Sequence, residues 1–383
     1  MERRGTSVLP LHYGHPPEYL FRRMVELGGT LCDIIVQEYG VDTLLEKLSD
    51  PFWFHSFSLV TGFDWNSSGT TTATLAAIKE YYGKHDGAIR VIGGKGERMG
   101  RTSEEAENLA GSGYISESKV PGILSKAKNI ARIDNNLLQD GYDLYLQFIV
   151  VDSSGKWAVI QQGMDQGIRM ARRYHWIWSS RQELIDDARK GVSSFDYRPE
   201  SLDLSTKLSE RNRNSMVELA GDDPDALRRR VAQGGQSTLD LFSGEARELR
   251  LDHSVDWKKL RMIYEYSPSD FMDLMNINGV GKSTIRALSY LAEVIHGEPP
   301  SFQDPVKYSF ALGGKDGIPK PVNVHDYDIA IEFYRDALGS IGSGDRNVQA
   351  LIRNLSRISY LRSGKGVATC SEPTESVKLG SVS

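Results

Sequence analysis

Apolar residues near the start of the chain recur at the spacing of a helix. Between residues 17 and 48 they lie three or four positions apart, which predicts helices with one buried face. The first of these faces consists of Leu20, Met24, Leu27, Leu31, Ile34 and Ile35. Another helix is predicted to begin after Ser67-Ser68-Gly69, because threonine hydroxyls at 70 to 72 can cap its first turn. The chain is therefore predicted to start with helices.

The middle of the chain carries the pattern of β-strands. Residues 88–92 are rich in apolar and β-branched side chains and run into Gly93-Gly94-Lys95-Gly96, which predicts a strand followed by a glycine-rich loop. Residues 145–151 and 157–160 are mostly apolar and flank a turn at 152–155, as in a β-hairpin. Helical spacing returns after Trp257. We therefore predict an α+β fold, with a mixed N-terminal domain that contains the β-hairpin and an all-helical C-terminal domain.

Changes in composition predict where the chain divides. Residues 193–255 mix turn-forming residues with densely charged stretches, which is typical of a connecting region. We predict a mixed α/β domain over 1–192 that carries the catalytic groups and a helical domain over 256–370. Residues 371–383 are polar and are predicted to form a flexible tail.

Charge and composition narrow the classes of function. The 383 residues include 46 Lys and Arg against 51 Asp and Glu, which gives a formal net charge of −5. This mild acidity excludes a histone-like coat of positive charge, so any contact with nucleic acid requires a local patch. Two cysteines and the lack of a long apolar run predict a cytoplasmic protein with no membrane span. We find no metal-ligand spacing, Walker sequence or dinucleotide fingerprint, so no metal and no cofactor is predicted.

The most informative segment surrounds Gly279-Val280-Gly281. Apolar residues end one predicted helix before it and line one face of the next, at Leu274, Ile277, Ile285 and Leu288. This register is similar to the helix-hairpin-helix module of DNA repair and recombination proteins. Glycines allow the backbone to approach a phosphate closely. The amides of Gly281, Lys282 and Ser283 would then bind the anion at a helix N-terminus, while Val280 fills the space between the helices. The alternative is an ordinary tight turn between two packed helices.

The sequence can be compared with one group of proteins that contain this module. Base-excision glycosylases of the endonuclease III type place a catalytic lysine two residues after the second glycine, and an aspartate about one helix later. Here Ser283 stands at the lysine position, and the nearest following aspartate is Asp304. The chain departs from that group, so we assign Lys282 to phosphate binding.

A basic and aromatic segment follows the predicted β-hairpin. Arg169, Arg172 and Arg173 precede Tyr-His-Trp, a combination of phosphate-binding groups and stacking rings that favours contact with DNA. We predict a helix here, on which Arg169 and Arg173 share a face. The alternative is an amphipathic helix whose rings enter the core.

Two adjacent glutamines end the second strand of the predicted hairpin. Gln161 and Gln162 point to opposite faces of a strand, so one is expected to face a cavity and the other solvent or packing. An amide both donates and accepts hydrogen bonds, which suits reading the edge of a flipped base. A structural amide network is the alternative.

Two Gly-Gly-Lys strings offer a candidate nucleophile. Lys95 lies in one, and Lys315 lies in the other and is followed by Asp316. A lysine with a nearby carboxylate is what a bifunctional glycosylase uses, since the amine attacks the sugar and the carboxylate stabilises the developing charge. Adjacent residues rarely point the same way, so the carboxylate can come from elsewhere, and Asp165 is the one expected nearest the glutamines. Lys95 could instead bind a phosphate or be a solvated surface lysine.

Several long strings carry a wider resemblance. They are RRGTSVLPLH at 3–12, DPFWFHSFSLVTGFDWNSSGTTT at 50–72, IGGKGERMGRT at 92–102, VIQQGMD at 159–165, ARRYHW at 171–176 and FALGGKDGIPKPV at 310–322. Together with the glycine hairpin they resemble the family catalogued as domain of unknown function 763, found mainly in archaea, over nearly the whole chain up to about residue 370. The resemblance implies a role in DNA repair, including attack on oxidised or deaminated pyrimidines such as 5-hydroxyuracil.

These observations predict a DNA repair enzyme that removes damaged bases as a glycosylase and cuts the strand where it also acts as a lyase. Its partner would be damaged duplex DNA or single-stranded DNA. One alternative is a non-catalytic DNA- or RNA-binding protein. A second is a metal-dependent nuclease, whose carboxylates would come from Asp64, Asp165 and Asp316.

Overall fold

The computed structural model of the chain describes residues 16, 18–61, 68–178, 184–194, 197–234 and 255–306. All of them belong to one compact unit, Met1–Val324, and a second unit covers His325–Ser383. Lys315, Asp316 and Asp64, together with the predicted flexible tail, lie outside the described residues. The predicted α+β fold is confirmed.

Four helices precede the first strand. They are α1 (Glu18–Tyr39), α2 (Val41–Ser49), α3 (Pro51–Val60) and α4 (Ser68–Lys84). The predicted apolar face of α1 is buried at Met24, Leu31, Ile34 and Ile35. Asp50 begins α3 by accepting hydrogen bonds from the backbone amides of Phe52 and Trp53. The sequence therefore predicted the helices over 17–48, but it missed α3, and α4 begins at Ser68 and not after Gly69 as predicted.

A five-stranded antiparallel sheet lies at the centre of the described unit. In spatial order it consists of β1 (Ile89–Lys95), β3 (Asp143–Asp152), β4 (Trp157–Asp165), β5 (Met170–Ile177) and β6 (Gly191–Ser193). A second, two-stranded sheet pairs β2 (Leu138–Gln139) with β7 (Leu202–Asp203). The predicted β-hairpin is confirmed as β3 and β4, with its turn after Asp152.

Two details of the predicted middle region are wrong. The segment predicted to be a helix around Arg169 to Arg173 leads into strand β5, which hydrogen-bonds to β4 and β6. Both faces of β5 are covered, so its charged residues do not mark a solvent-facing side. The predicted glycine-rich loop also starts later, because Gly93, Gly94 and Lys95 pair with β3 as the end of β1.

The strand register defines one face of the sheet that matters for the site. Cross-strand partners on this face form a row across all five strands, made of Lys95, Leu146, Gln162, Arg173 and Ser193. Helices α3 and α4 contact this row of residues. The opposite face packs into a large apolar core together with α5 (Thr102–Gly111) and α6 (Val120–Arg132).

The later helices pack into the same core. They are α7 (Glu210–Ala220), α8 (Pro224–Gly234), α9 (Trp257–Tyr266), α10 (Phe271–Asn276) and α11 (Lys282–His296). Leu274 and Leu288 of these helices share one hydrophobic cluster with Val159 and Trp176 of the sheet. The domain boundaries at 192, 255 and 370 stay predictions. None of the helices in the described ranges is long and apolar enough to span a membrane.

Candidate functional site

The glycine hairpin joins α10 and α11 through residues 277–281. Gly279 has a φ of 86°, in the left-handed region that favours glycine. Val280 is buried in the core with Ile277, as the sequence predicted for a residue that fills the space between two helices. The tight turn is therefore built as expected, and its role in binding DNA stays a prediction.

The start of α11 is open to an incoming group. Gly281 is the N-cap residue and offers no side-chain hydrogen bond to the helix, and a Cβ added to it would meet nothing within 4 Å. Ser283 is exposed. The first amides of a helix have no partner within the helix, and together with the helix dipole they favour an anion. This end of α11 therefore has the physical character of a phosphate-binding site.

Lys282 and the residues around it tie the hairpin to the rest of the fold. Its Nζ lies 3.1 Å from Oδ1 of Asp143 on β3, an exposed ion pair of small energetic weight. Arg132 of α6 donates hydrogen bonds to the carbonyl oxygen of Met275 and, at 2.7 Å, to Oδ1 of Asn276. These contacts connect the hairpin to β3 and α6.

A cleft of about 490 Å³ lies beside the hairpin. Asn276 at the end of α10 forms part of its wall, and the start of α5 at Thr102 and Lys128 of α6 form other parts. The turn that leads into α5 adds Arg98 and Arg101 nearby in the chain. Lys128 therefore lies on the wall of a void next to the hairpin, while the first turn of α5 also carries the acidic residues Glu104 and Glu105.

Lys95 lies at the exposed end of β1. Its Nζ is 5.5 Å from the centre of the Tyr145 ring, which places the amine over an aromatic face. Burial raises the pKa of Tyr145 to about 12, against a smaller lowering by its hydrogen bond with Ser68. Within the described part of the chain, no carboxylate oxygen lies within 4.0 Å of the Lys95 amine.

The structure does not bring Asp165 to Lys95. Asp165 ends β4, two strands away from β1, and its Oδ2 accepts a hydrogen bond of 2.8 Å from Arg198. Burial raises the pKa of Asp165. Hydrogen bonds from Arg198 and from the backbone amides of Ile168 and Gly167 lower the pKa by more than burial raises it, so the net shift is downward. Asp165 is thus an ionised ion-pair partner of Arg198, and its catalytic role stays a prediction.

The prediction that Arg172 and Arg173 contact DNA is wrong for the structure described, because both side chains are fully buried. Arg172 donates hydrogen bonds to Asp140 at 3.0 Å and to both carboxylate oxygens of Asp304, at 3.1 and 2.9 Å. It therefore stabilises the interior. Arg169 is exposed in the turn before β5, and its DNA contact stays a prediction.

Arg173 points to the other face of β5. Its Nε donates a hydrogen bond of 2.8 Å to Nε2 of His175, and its Nη1 and Nη2 donate to Thr71 Oγ1 and the Pro51 carbonyl oxygen. Burial lowers the pKa of Arg173 to about 9, so it remains charged at neutral pH. Burial, and next the charge of Arg173, hold the pKa of His175 well below its usual value. His175 is therefore neutral and accepts at Nε2.

The two glutamines are both buried, so neither of them faces solvent. Gln162 Nε2 donates to the carbonyl oxygen of Ser68 at 3.3 Å, while its Oε1 has no hydrogen-bond partner among the described residues. Neither amide atom of Gln161 has a described partner. Base reading by these residues stays a prediction.

Sequence reasoning missed the partners of the buried arginines. Asp140 and Asp304 neutralise Arg172 from 32 and 132 residues away along the chain. Thr71 meets Arg173 across 102 residues. The only local signal was the alternation of side chains along a strand, which sends adjacent arginines to opposite faces.

Comparison with known proteins gives one match. The family model described as "Protein of unknown function (DUF763)" matches residues 5–322. This span includes the sheet, the cleft and the hairpin, and it also contains Lys315 and Asp316, which lie outside the described residues. Neither the curated proteins nor the solved structures gave a match.

Proposed function

We propose, from the residues of this chain, which belongs to the DUF763 family, that the protein binds DNA and removes damaged bases. In this proposal the open N-terminus of α11 binds a backbone phosphate, and Lys95 supplies the chemistry. Lys315 and Asp316 remain the second candidate amine and its carboxylate.

The observation that supports the proposed DNA binding is the open start of α11. A glycine N-cap without a side-chain hydrogen bond leaves the helix end accessible, and the left-handed Gly279 shapes the turn before it. Contacts of this kind go to the DNA backbone and carry no sequence information. The adjacent cleft has Lys128 on its wall, which places one further cation beside the hairpin.

The chemical half rests on Lys95, because it is an exposed amine at a strand end next to an aromatic ring. In the proposed reaction the amine lone pair attacks C1′ of the sugar. The glycosidic bond breaks, and the base leaves with the bonding electrons and takes up a proton. Opening of the sugar ring then leaves an imine between Nζ and C1′, which borohydride reduces to a stable amine.

The test uses end-labelled duplexes, each with a single uracil, 5-hydroxyuracil, hypoxanthine, 8-oxoguanine or abasic site. Lesion-dependent cleavage in EDTA, together with a borohydride-trapped adduct, is the expected result. Lys95→Ala should abolish the adduct, whereas Lys84→Ala on α4 should leave it unchanged. An adduct that survives in Lys95→Ala would move the chemistry to Lys315, and cleavage that EDTA abolishes would favour the nuclease.

A non-catalytic DNA- or RNA-binding protein is the second candidate. It is favoured by the absence of a carboxylate within 4.0 Å of Lys95 in the described ranges, since the carboxylate is the expected partner of a glycosylase lysine. This candidate predicts a shifted band on a gel with intact DNA and no trapped adduct for any lesion.

The binding half makes a separate prediction about salt. Lys282→Glu should weaken DNA binding and reduce the slope of log affinity against log salt by about 1, because one phosphate contact is lost. Asp143→Asn removes the exposed carboxylate beside Lys282 and should strengthen binding. Lys84→Glu makes the same charge change on α4 and serves as the control. Equal affinities and slopes for Lys282→Glu and the wild type would exclude the hairpin from the interface.

A further inference from the structure

The cleft beside the hairpin has a wall of one cation and otherwise neutral side chains. Its cation is Lys128, and three amide side chains line it as well, those of Asn129, Gln147 and Asn276. Among the described residues that form this wall, none is acidic. Its volume of about 490 Å³ is typical of small-molecule sites, which span about 300–1,000 Å³. The cleft can therefore hold a small organic ligand, and its single charge favours an anionic one.

Gln147 is the buried amide of this wall. Its side chain is only 5% exposed. It lies on the face of the sheet that α6 covers, where its Nε2 donates a hydrogen bond of 2.9 Å to the carbonyl oxygen of Ala127. No group in the described ranges donates a hydrogen bond to its Oε1. Because Nε2 is already bound, Oε1 is left to accept a hydrogen bond from an N–H or O–H group of a ligand.

Helix α6 presents further polar groups to the cleft. Ser125 and Asn129 lie four residues apart on one face of the helix, and Lys128 lies beside them. Their side chains make no hydrogen bond or ion pair with any other residue that the structure describes. The hydroxyl and the amide can both donate and accept, and the ammonium can only donate. These groups are therefore available to a ligand that has a polar edge and an anion.

Two apolar side chains complete the chemistry of the wall. Met99 and Leu124 line the cleft together with the polar groups. The thioether of a methionine is polarisable and makes favourable contacts with aromatic rings. An unstacked nucleic-acid base has a flat ring and an edge of donors and acceptors, and its nucleotide adds an anionic phosphate. Each of these three parts has a matching group on the wall.

We infer that the cleft binds a single nucleotide, with its base at Gln147 and Asn129 and its phosphate at Lys128. The inference deepens the proposed DNA binding, and it rests on that proposal for the source of the nucleotide, an unpaired base of the strand held at the hairpin. The cleft and the hairpin meet at Asn276, which lines the cleft and ends α10.

This nucleotide is not the one that Lys95 would attack. Lys95 pairs with Leu146 across the strands, whereas Gln147 pairs with Gly94. Successive residues of a strand point to opposite faces, so Lys95 and Gln147 lie on different sides of the sheet. The cleft is therefore a separate subsite, and its occupancy can be measured without any cleavage of DNA.

The first experiment measures binding of the four deoxynucleoside 5′-monophosphates to the full chain by equilibrium dialysis at constant ionic strength. We expect saturable binding of one nucleotide per chain. Gln147→Met removes the acceptor and should weaken binding about three- to tenfold, as expected for one lost hydrogen bond. Lys128→Met should weaken nucleotide binding about tenfold or more, because a charged contact is lost, and should leave binding of the matching nucleoside unchanged. Lys84→Met on α4, which contacts the other face of the sheet, should bind as the wild type does.

Asn129→Ala keeps the test decisive if Gln147→Met does not fold. Asn129 is only partly buried on α6, so its replacement should leave the fold intact. The variant should bind the nucleotide about three- to tenfold more weakly. Wild-type protein that binds none of the four nucleotides saturably would overturn the inference. Unchanged affinity in every folded variant at these two positions would overturn it as well.

A second experiment identifies the source of the nucleotide. It compares a duplex that has one unpaired base with a fully paired duplex of the same sequence. The wild type should bind the first duplex more tightly, and Asn129→Ala should lose this preference, whereas Lys282→Glu should weaken binding of both duplexes equally. Saturable binding of nucleotides without any preference between the duplexes would identify a free nucleotide as the occupant.

The two experiments also separate this inference from the proposed function. Nucleotide binding that depends on Gln147 or Asn129, in a protein that neither binds nor cleaves any duplex, would support the cleft as a nucleotide site and exclude the proposed action on DNA. Lesion-dependent cleavage by a protein that binds none of the four nucleotides would support the proposed function and exclude the cleft.

Discussion

Replacing Arg172 with methionine is expected to lower the free energy of unfolding by about 3–5 kcal/mol, the usual cost of removing one partner from a buried ion pair. The substitution leaves Asp140 and Asp304, which lie 2.9–3.1 Å from the guanidinium nitrogens, in the interior without their cation. Chemical denaturation at neutral pH measures the loss. Arg169→Met is the matched control, and as a surface change it should stay within about 0.5 kcal/mol of the wild type.

The pH dependence of the variant provides an independent check. Burial raises the pKa of Asp304, and in the wild type the charge of Arg172 opposes that increase. Without Arg172 the folded-state pKa rises further above the unfolded value, so the folded state binds the proton more tightly. The variant should therefore recover stability as the pH falls through the folded-state pKa. A loss below 1 kcal/mol with no such recovery would show that the two carboxylates do not depend on Arg172.

Arg172 also shows why part of the fold could be predicted from sequence and part could not. Helices α1 and α4 and the β3–β4 hairpin follow from local spacing and turn residues, so the pattern was sufficient. Strand β5 was mistaken for a helix because both of its faces are buried and both carry charge. The aspartates that compensate the buried charge of Arg172 lie 32 and 132 residues away in the sequence, so no local stretch of sequence contains them.

The candidate sites divide in the same way. The turn at Gly279 and the burial of Val280 depend on neighbouring residues and could be predicted from their register. The surroundings of Arg173 depend on Thr71, which is 102 residues away, and on the register of three strands. Adjacent arginines looked like one basic patch in the sequence, but the strand sends them into two different environments.

Gly93→Ala is expected to be among the most destabilising single changes on the sheet, because Gly93 has a φ of 91° and an added Cβ would lie 2.3 Å from the carbonyl oxygen of Gln147. Its backbone cannot move aside easily, since its amide donates to Glu105 Oε2 at 2.6 Å and its carbonyl accepts from Lys79 at 2.7 Å. Backbone strain of about 1–3 kcal/mol and overpacking of about 1–3 kcal/mol give an expected loss of about 2–6 kcal/mol.

Gly96→Ala separates the two causes, because Gly96 has a φ of 59° but open space around its Cβ position. The free energy of unfolding of Gly96→Ala should fall only by the cost of the left-handed conformation, about 1–2 kcal/mol. The difference between the two variants, measured by chemical denaturation, is then the cost of the contact with β3. If Gly93→Ala were as stable as Gly96→Ala, Gly93 would behave as part of a flexible loop, which is what the sequence predicted. The expected larger loss would show instead that the strand requires this glycine, and that Lys95 is presented from a fixed position.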